Sequence, residues 1–565
     1  MKKKEGRFIK KVGKVVLDYE FYQGEDIYSD GEIEDTILEA CQRGEEEELL
    51  KNSSDWAVLY HLSSIRENLL EWYPLEKNTS VLEIGAGCGA LTGILSKKVK
   101  TVTCVDLSEK RSLINAYRHK DCDNIEIIIG NFQDIEPSLD KYDYVTLIGV
   151  LEYSKSYIQS EEPFLEMLRV AVKHLNVNGK LIIAIENKMG LKYWNGAPED
   201  HTVKMYSGLN DYTDGSNVRT FSKKELIQLL SEAGIETYCF YYPQPDYKLP
   251  KAIYSDSVLP KPGDIRSFKK VYSSPRMYNF YEDTVTDQVC ADNMFPYFAN
   301  SFLVVCGEEK NNVFFATYNR ERKNKFQIKT EIIEDLYQKK LIAKCALTQE
   351  AQEHIDSMSI NRQKWEHTLE NVCCVEDRLD ENNYFAEFVD GVSLENRMYE
   401  YRSNPECFVN ETKKIIDSYL TPASEKLIPF HVSEKYVRVF GNNYIKGTYS
   451  TKYTNVDVLF SNIKLCNDGK LYVYDFEWIF DFPIPYKYPI WRAAEVLYIR
   501  FKQYISNQFS RNDFLMELGF TEEEITVFLK MEEMFPQYVC GIGLKEEYTH
   551  NFEKICIMQS THFFK

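Results

Sequence analysis

The sequence predicts an α/β protein of two domains, in which a parallel sheet with helices on both faces is followed by an α+β domain. Three observations support this prediction. Apolar strand segments alternate with helical segments between residues 80 and 190, the first of these strands runs into a glycine-rich turn, and the alternation stops near residue 308. With 565 residues the chain also exceeds the size of one hydrophobic core, so we expect more than one domain.

The predicted strands of the sheet are short apolar runs separated by turn signals. They are 81–84, 101–106, 125–129, 144–149 and 180–185, with further strands near 235–242 and at 301–306. Ahead of them, apolar residues at helical spacing over 56–73 predict one amphipathic helix that stops at Pro74. Ser222 and Glu225 form a capping box, which predicts a helix that ends before Gly234.

Changes in pattern along the chain set the predicted domain boundaries. We expect an N-terminal extension with a helix over 1–75, the sheet domain over 76–308 and a second domain over 312–565. The segment 243–300 is too long for a loop that only links two strands, and it is rich in Pro, Tyr and Asp. We therefore predict that this segment forms a cap or a surface for a partner.

The bulk composition excludes several classes of protein. The formal net charge of −19 argues against binding along nucleic-acid phosphates, so a glycan or a small molecule is the expected substrate. No stretch approaches about 18 apolar residues, and no apolar run follows the basic residues 1–4, so neither a membrane span nor a signal peptide is expected. The 14 cysteines lack a repeating frame and indicate a reducing compartment. The sequence therefore predicts a cytoplasmic protein.

The glycine-rich turn after the first strand is the first candidate ligand site. Glu83 ends the strand, and Gly85, Gly87 and Gly89 follow at the spacing G-x-G-x-G. Glycines at such a turn let the backbone bend sharply and let a ligand approach it closely. The spacing differs from the G-x-G-x-x-G of dinucleotide binders, which seat a pyrophosphate on the helix that follows.

Residues at the ends of the next two strands extend this candidate site. Asp106 ends the second strand, where its carboxylate can accept hydrogen bonds from both hydroxyls of a ribose. Asn131 and Phe132 follow the third strand, where Asn131 can bond the edge of an adenine and Phe132 can lie on its face. Because the carboxyl ends of parallel strands meet at one edge of the sheet, these positions predict a site for a nucleoside.

Residues 78–190, with these motifs, resemble a class I methyltransferase that depends on S-adenosylmethionine (SAM). The runs Tyr-Asp-Tyr-Val at 142–145, Gly-Val-Leu-Glu-Tyr at 149–153 and Leu-Asn-Val-Asn-Gly-Lys at 175–180 belong to the resemblance. It implies a Rossmann-like sheet and a SAM site formed by the residues just named: Glu83, Gly85, Gly87, Gly89, Asp106, Asn131 and Phe132. A structural glycine-rich turn and an NAD-binding domain are the alternatives.

The chain just after the fifth strand predicts where the methyl acceptor binds. Asn187, Glu199, Asp200 and His201 lie near the carboxyl ends of the strands, where ligands of open α/β sheets bind. His201 is the candidate general base for a hydroxyl or amine acceptor, and a hydrogen-bonded structural histidine is the alternative. The run 186–201 resembles bacterial methyltransferases of cell-surface polysaccharide assembly, which implies a glycan or small-molecule acceptor and glycosyltransferases as partners.

Two short β runs near residue 468 predict a hairpin in the second domain. Asp468 and Gly469 are typical of a two-residue type I′ turn. Counting back from this turn places Asn462 opposite Asp475, with Cα atoms about 4.5–5.5 Å apart. These two side chains are therefore candidate ligands of Mg²⁺, and Asp457 could orient an acceptor hydroxyl as a catalytic residue.

The pattern of Asp457, Asn462 and Asp475-Phe-Glu resembles the catalytic and metal loops of the protein-kinase-like and small-molecule-kinase fold. The resemblance implies Mg²⁺ and ATP as ligands. It also implies that Lys344, on a predicted strand, pairs with nucleotide phosphates and with an acid on the next helix; an ordinary exposed strand lysine is the alternative. Glu353 is the candidate acid, and Glu350 and Glu366 are alternatives.

The second domain departs from the kinase pattern at two places. No glycine-rich nucleotide loop is present in 313–335, and Asn455 stands where such folds usually carry His. A kinase fold retained only to bind a glycan or a glycosyltransferase is therefore the alternative. A methyltransferase joined to a kinase resembles bifunctional enzymes that modify bacterial surface polysaccharides.

Overall fold

The computed structural model describes residues 8–24, 26, 29–267, 278–308 and 311–553, with side chains described as far as residue 540. The described chain separates into two compact units, one formed by residues within 8–317 together with 547–553 and the other by residues 318–546. Parts of the predicted segments 1–75, 243–300 and 312–565 lie outside the described residues. No helix in the described part of the chain is long and apolar enough to cross a bilayer.

The first unit contains one large sheet. Its strands are β1 Ile9–Val12, β2 Val15–Phe21, β3 Ser80–Ile84, β4 Thr101–Asp106, β5 Ile125–Gly130, β6 Tyr142–Ile148, β7 Leu175–Glu186, β8 Tyr238–Gln244, β9 Ala252–Ser255, β10 Ser301–Cys306 and β11 Val313–Tyr318. Across the sheet they are ordered β1-β2-β5-β4-β3-β6-β7-β10-β8-β9-β11. Neighbours from β2 to β7 pair in parallel, and the strands beyond β7 pair antiparallel.

The predicted parallel sheet is confirmed, and its strands are apolar because helices cover both faces. The core of this sheet is formed by side chains such as Leu82, Val145 and Ile183, all of which are fully buried. Helices α9 Pro163–Lys173 and α11 Lys223–Glu232 pack against each other over the sheet. The parallel strands therefore end together at one edge, which positions the candidate site.

The remaining helices of the first unit are short. They are α1 Ile33–Arg43, α2 Glu46–Asn52, α3 Trp56–Leu62, α4 Asn68–Glu71, α5 Thr92–Lys98, α6 Glu109–Arg118, α7 Phe132–Ile135, α8 Ser154–Tyr157, α10 Leu191–Trp194, α12 Glu282–Ala291 and α13 Phe295–Phe298. The predicted capping box at the start of α11 is confirmed, since Ser222 accepts from the Glu225 N–H and Glu225 accepts from the Ser222 N–H. Gly234 follows the end of α11 with a φ of 79°, as a helix stop requires.

The prediction of one continuous helix over 56–73 is wrong. The segment forms α3, a 3₁₀ turn over Ser64–Glu67 and α4. Ser63 adopts an extended conformation, and its side chain accepts a hydrogen bond from the Ile65 N–H, which ends one helix and begins the next. Apolar spacing does not detect such a break, because a serine inside a helical pattern can also serve as a cap.

The N-terminal extension adds a hairpin to the sheet, which the sequence analysis did not predict. Strand β1 pairs antiparallel with β2, and β2 pairs in parallel with β5. Helix α1 packs against α6, and Ile37 and Val58 form a small apolar cluster with Cys88 of the glycine-rich turn. The extension is therefore part of the sheet domain rather than a separate helical segment.

The predicted cap over 243–300 is only partly separate from the sheet. Strand β9 lies inside this segment and pairs with β8 and β11, so it extends the sheet edge. The first unit consequently continues past the predicted end at residue 308, because β11 adds to the same sheet. The two helices α12 and α13 form the rest of the described insert.

The second unit is an α+β arrangement of small sheets and longer helices. Its strands are β12 Ile328–Glu334, β13 Lys340–Ala346, β14 Cys373–Cys374, β15 Asp377–Asp380, β16 Asn383–Glu387, β17 Gly391–Ser393, β18 Ile428–Pro429, β19 Tyr449–Thr451, β20 Thr454–Asn455, β21 Ile463–Cys466, β22 Leu471–Val473, β23 Ile479–Phe480 and β24 Ile484–Pro485. Its helices are α14 Gln352–Trp365, α15 Leu394–Met398, α16 Pro405–Ile415, α17 Glu434–Phe440, α18 Lys487–Ile505, α19 Arg511–Glu517 and α20 Glu522–Glu553. The strands β12, β13, β16 and β15 are neighbours in this order, and a separate core lies between residues 326 and 539.

The predicted hairpin near residue 468 exists, but its turn and register differ from the prediction. Gly469 N–H donates to Cys466 O at 3.0 Å, and Cys466 N–H donates to Lys470 O at 3.0 Å, so the loop is 467–469. Gly469 has a φ of 77°, which is typical of the left-handed residue in a three-residue hairpin loop. The register therefore shifts by one position, and Asn462 lies opposite Tyr474 rather than Asp475.

Candidate active site

The glycine-rich turn leaves β3 with three glycines in the left-handed region. Gly85, Gly87 and Gly89 have φ values of 73°, 54° and 75°, which side chains other than glycine rarely adopt. A Cβ atom at Gly89 would collide with the Asn115 side chain, whereas one at Gly87 would meet no atom within 4 Å. Since Gly87 also lines a cavity, its backbone is open to a ligand there.

Asp106 holds this turn from the end of β4. Its Oδ2 accepts from the Gly87 N–H at 2.7 Å, and its Oδ1 accepts from the Ser108 N–H at 3.0 Å. Burial raises the pKa of Asp106, while these two hydrogen bonds oppose the rise. Each oxygen retains a further lone pair, so the carboxylate can also accept from ligand hydroxyls.

Glu83, predicted to bind the cofactor, is buried at the end of β3. Its Oε2 accepts from Thr92 Oγ1 at 2.6 Å, and the Cys104 thiol lies 3.4 Å from the same oxygen. Burial raises the pKa of Glu83 to about 7. The side chain borders the cavity, but it also ties β3 to helix α5 through Thr92.

Asn131 and Phe132, predicted to bind an adenine, both line the cavity. Asn131 caps α7, because its Oδ1 accepts from the Gln133 N–H at 3.0 Å. Its amide nitrogen is therefore the atom left for a ligand. Phe132 is buried and borders the same cavity, as a residue that lies against an adenine ring must.

The cavity has a volume of about 360 Å³ and lies at the carboxyl edge of the parallel strands. It joins the predicted cofactor residues with side chains from three other segments. Its walls include Asp30, Tyr60, His61, Arg66, Glu83, Gly85, Gly87, Asp106, Arg111, Asn131, Phe132, Glu152, Tyr153, Asp200, His201, Tyr247 and Lys248. This volume falls within the usual range for a small-molecule site.

One wall comes from the N-terminal extension, which sequence reasoning did not connect with the site. Arg111 Nη2 donates to Asp30 Oδ2 at 2.8 Å, and His61 Nε2 lies 2.7 Å from the same oxygen. The hydrogen bond with His61 is the main cause that lowers the pKa of Asp30, and Arg111 adds to it. No sequence motif marks this contact, because residues far apart in the chain form it.

His201 lies in the cavity with its imidazole fixed on both sides. Nδ1 lies 2.6 Å from the Tyr153 hydroxyl, and Nε2 lies 3.2 Å from Glu186 Oε2 and 3.6 Å from Glu152 Oε1. Burial lowers the pKa of His201, but the attraction of Glu186 and Glu152 outweighs it, so the pKa is raised. The protonated imidazole is thus favoured. In that form His201 cannot by itself accept a proton from an acceptor.

Glu152 is the site residue that sequence reasoning quoted without assigning a role. Its carboxylate is fully buried, and neither oxygen has a hydrogen-bond partner among the described residues. Burial raises the pKa of Glu152 to about 7, which His201 partly opposes. Its position in the sequence could have marked Glu152 as a site residue, because Glu152 follows β6 at the same edge of the sheet as the glycine-rich turn.

A network of two lysines and two acids surrounds this group. Lys192 Nζ lies 2.6 Å from Asp200 Oδ2, and Lys248 Nζ lies 3.1 Å from Asp200 Oδ1 and contacts Glu186. Burial would raise the pKa of Asp200, but these lysines hold it well below its usual range. The ion pairs therefore position Asp200 as a support for the loop rather than as a base.

The other two residues predicted near the acceptor have structural contacts. Asn187 is buried and donates to the carbonyls of Tyr297 and Ala299, each at 2.8 Å. Glu199 accepts from the Gly208 N–H at 3.0 Å, and burial raises its pKa to about 7. Neither residue borders the cavity.

In the second unit, Lys344 and Asp475 form an ion pair. Lys344 Nζ lies 2.6 Å from Asp475 Oδ1 and 3.6 Å from Glu477 Oε2. The predicted partner Glu353 is not the acid that Lys344 contacts among the described residues. Its neighbour His354 instead lies 3.1 Å from Glu477 Oε1.

Asp457 and Asn462 contact each other in the second unit. Asn462 Nδ2 donates to Asp457 O at 2.9 Å, and Asp457 forms an ion pair with Arg492. Asn455 links the loop to Asp475, because its Nδ2 donates to Asp475 O at 3.0 Å. The predicted face-to-face pair of Asn462 and Asp475 is wrong, since the register shift places Tyr474 opposite Asn462.

The match to a protein-family model lies in the first unit. Residues 58–239 match the model of a methyltransferase domain family. Two relatives are the small-subunit ribosomal RNA methyltransferases A of Borrelia garinii, 32% identical over 87 residues, and of Borreliella burgdorferi, 33% identical over 78 residues. The alignments cover 15% and 14% of this chain and only 31% and 28% of those relatives.

Solved structures of methyltransferases also align with the chain. A phosphoethanolamine N-methyltransferase of Haemonchus contortus, in complex with phosphoethanolamine and S-adenosylhomocysteine, is 16% identical with a TM-score of 0.28 and covers 50% of this chain and 51% of its own. A SAM-dependent methyltransferase of Archaeoglobus fulgidus is 14% identical with a TM-score of 0.26 and covers 48% of this chain and 99% of its own. The residues that match the methyltransferase domain model, 58–239, include the glycine-rich turn and Asp106.

Proposed function

We propose that the first unit transfers the methyl group of SAM to a hydroxyl of a glycan or small molecule in cell-surface polysaccharide biosynthesis. One observation supports this proposal above the others. A single cavity joins the turn held by Asp106 to the buried group of Glu152, Glu186 and His201. A nucleoside site and a proton-accepting group thus face the same space.

The residues of the turn fit SAM. The open space beside Gly87 lets a ligand lie against the backbone, and Asp106 has lone pairs left for ribose hydroxyls. Asn131 has its amide nitrogen left for the adenine edge, with Phe132 beside it. When bound, SAM supplies an electrophilic methyl group on a good leaving group.

Glu152, Glu186 and His201 would remove the proton of the acceptor. A hydroxyl must lose its proton as it attacks, and a group with a pKa near the working pH accepts it best. Glu152, with a pKa of about 7, meets this requirement. His201, held between Glu152 and Glu186, would stabilise the carboxylates and move the proton between them.

The charge of the protein supports a neutral acceptor rather than a nucleic acid. The net charge of −19 and the buried acids of the cavity repel phosphates, although the curated relatives are ribosomal RNA methyltransferases. We place the protein in the cytoplasm, with glycosyltransferases as its partners, because polysaccharide acceptors are assembled there by such enzymes.

The second unit carries a second proposal, a kinase-like domain that binds Mg²⁺ and ATP and phosphorylates the same acceptor. The contact between Lys344 and Asp475 favours it, because kinase-like folds place a strand lysine and a metal-binding acid at one nucleotide site. Asp475 would hold Mg²⁺ with Asn462 after a local rearrangement, and Asp457 would orient the acceptor. A domain retained only for binding remains the alternative.

The test of the first proposal is transfer of an isotopically labelled methyl group from SAM to bacterial surface glycans, followed by mass spectrometry. We expect labelled product with the wild type, and a rate lowered at least about a hundredfold in His201→Ala with SAM affinity nearly unchanged. SAM binding without transfer to any glycan would contradict the acceptor class. Loss of SAM binding in a folded His201→Ala protein would place His201 in the cofactor site instead.

The test of the second proposal is nucleotide binding with and without Mg²⁺. We expect Lys344→Met to lose Mg²⁺-dependent ATP binding and the exposed control Lys470→Met to keep it. If the wild type binds no nucleotide, the binding-module alternative takes the place of the kinase.

A further inference from the structure

The group formed by Glu152, Glu186 and His201 has the composition and spacing of a metal site. Each of these three residues offers one ligand atom, and these atoms lie within 4.8 Å of one another. His201 Nε2 is 3.2 Å from Glu186 Oε2 and 3.6 Å from Glu152 Oε1. Ligands bound at about 2.0–2.2 Å lie roughly 3.0–3.6 Å apart, so these two separations suit one shared cation.

We propose that Glu152, Glu186 and His201 bind a divalent cation at the acceptor end of the cavity. This site deepens the proposed methyl transfer, because the cation would hold oxygen atoms of the acceptor beside the SAM site and would lower the pKa of a bound hydroxyl. With the cation bound, this effect takes the place of direct proton removal by Glu152 and His201. Only the role of the cation in holding the acceptor rests on the proposed function. Cation binding is inferred from the geometry of the three residues.

An independent observation points to a ligand at this position. Glu152 is fully buried, borders the cavity, and neither of its carboxylate oxygens has a hydrogen-bond partner among the described residues. A buried carboxylate without protein partners is costly unless a proton or a bound ligand neutralises its charge. A cation bound to it removes this cost, and the imidazole of His201 at 3.6 Å is the nearest positive group.

The balance of charge around the group leaves room for a cation. Glu152 and Glu186 are joined by two more buried acids, Asp200 and Asp246, while Lys192 and Lys248 supply the two buried ammonium groups. Two negative charges therefore remain when His201 is neutral. A divalent cation neutralises them, and its binding would release the protons that Glu152 and His201 otherwise hold.

Residues behind the three ligands are arranged as in metal sites. The Tyr153 hydroxyl lies 2.6 Å from His201 Nδ1, which fixes the ring and directs Nε2 to the carboxylates. Lys248 contacts Oε1 of Glu186, which leaves Oε2 toward His201. The remaining coordination positions of the cation would face the cavity, where water or two oxygen atoms of a sugar can bind.

The ligand set selects the kind of cation. Two carboxylates with one imidazole suit Mn²⁺ or Zn²⁺ better than Mg²⁺ or Ca²⁺, which prefer oxygen ligands alone. Mn²⁺ is the probe of choice, because its free form is measured directly by electron paramagnetic resonance.

The experiment titrates the full chain with Mn²⁺ and measures free Mn²⁺ by electron paramagnetic resonance. We expect one site per chain in the wild type and at least about tenfold weaker binding in Glu152→Gln and in His201→Gln. The matched control is Glu199→Gln, since Glu199 is a buried acid in the same loop but lies outside the cavity. SAM affinity, measured for every variant, shows that each is folded.

Two outcomes would overturn the inference. One is a wild type that binds neither Mn²⁺ nor Zn²⁺, and the other is equal Mn²⁺ binding by the wild type and Glu152→Gln. Methyl transfer is measured separately after chelation. If the protein binds Mn²⁺ but methylates no glycan, the proposed function is rejected and the cation site is kept. If the protein binds no Mn²⁺ and methyl transfer is complete in the presence of chelator, the cation site is rejected and the proposed function is kept.

Discussion

The Tyr153 hydroxyl lies 2.6 Å from Nδ1 of His201, so the opposite nitrogen of that ring faces two buried carboxylates. Tyr153 follows directly after Glu152 in the chain, in the segment that leaves β6. One short turn thus supplies both a carboxylate and the hydroxyl that orients its partner. The orientation of the imidazole is therefore set by the same segment that forms the wall of the cavity.

Tyr153→Phe tests this orientation. Without the hydroxyl, Nδ1 loses its partner and the imidazole can rotate, so we expect kcat of methyl transfer to fall roughly tenfold. The Kd of SAM should stay within about twofold, because the glycine-rich turn and Asp106 are untouched. The measurement is a pH–rate profile beside SAM calorimetry, with Tyr238→Phe on strand β8, outside the cavity, as control. An unchanged profile and rate would show that the contact does not serve the reaction.

Asp106→Ala tests the cofactor end of the cavity. The substitution removes the acceptor for the Gly87 N–H at 2.7 Å and for the expected ribose hydroxyls. Losing these hydrogen bonds should cost about 1–3 kcal/mol and weaken SAM binding by roughly 5- to 150-fold. Calorimetry on this variant and on the exposed control Asp123→Ala checks the prediction. Equal SAM affinity in the two folded variants would remove Asp106 from the site.

Glu83→Gln tests the buried carboxyl beneath the turn through the pH dependence of stability. Burial raises the pKa of Glu83 from 4.5 to about 7. Between these values the unfolded chain releases a proton that the folded chain keeps, so unfolding becomes easier as the pH rises. Relative to Glu83→Gln, the wild type should lose up to roughly 1.4 kcal/mol of unfolding free energy per pH unit between about pH 5 and pH 7.

The measurement for Glu83 is the difference in Tm between the wild type and Glu83→Gln at pH 5 and at pH 7.5. The difference should favour the wild type more at pH 5 than at pH 7.5. The half-buried control Glu166→Gln should show no such trend. A difference independent of pH would mean that Glu83 is ionised throughout this range.

Asp475→Asn tests the second unit. If Asp475 holds Mg²⁺, the substitution should abolish Mg²⁺-dependent nucleotide binding, because it removes the negative charge that binds the metal. Asp457→Asn should spare nucleotide binding and lower phosphate transfer. Both variants should keep wild-type methyl transfer, since the two units have separate cores. Nucleotide binding that survives in Asp475→Asn would place the metal elsewhere.

Most of the sheet domain could be predicted from the sequence, because its signals are local. Buried parallel strands are continuous apolar runs, and the strand 301–306 was predicted with the bounds that β10 has. The capping box of Ser222 and Glu225 lies within four residues and needs no tertiary information. Strands β1 and β2 are not predicted from the sequence, because β5, the parallel partner of β2, is distant in the chain and the pattern of both strands is weak.

The candidate site was only partly predictable, because its chemistry depends on contacts between distant segments. Gly87 and Asp106 follow a known spacing, but Glu152 gains its role only when β6 and the loop at His201 meet. In the second unit, one residue determines the register of the hairpin. Gly469 serves a three-residue loop rather than a two-residue turn, and the shift of one position places Tyr474 instead of Asp475 opposite Asn462.

The pairing of β2 with β5 sets an order for the folding of a newly made chain. Strand β2 emerges from the ribosome early, but its partners, such as Ile127 opposite Leu17, exist only after the glycine-rich turn and β4 have been made. Strand β2 therefore stays unpaired with its apolar side chains exposed until β5 has been made, and contacts between such distant residues form slowly. Since the N-terminal segment also carries Asp30 and His61, the wall of the cavity that these two residues form can be completed only once synthesis has passed β5.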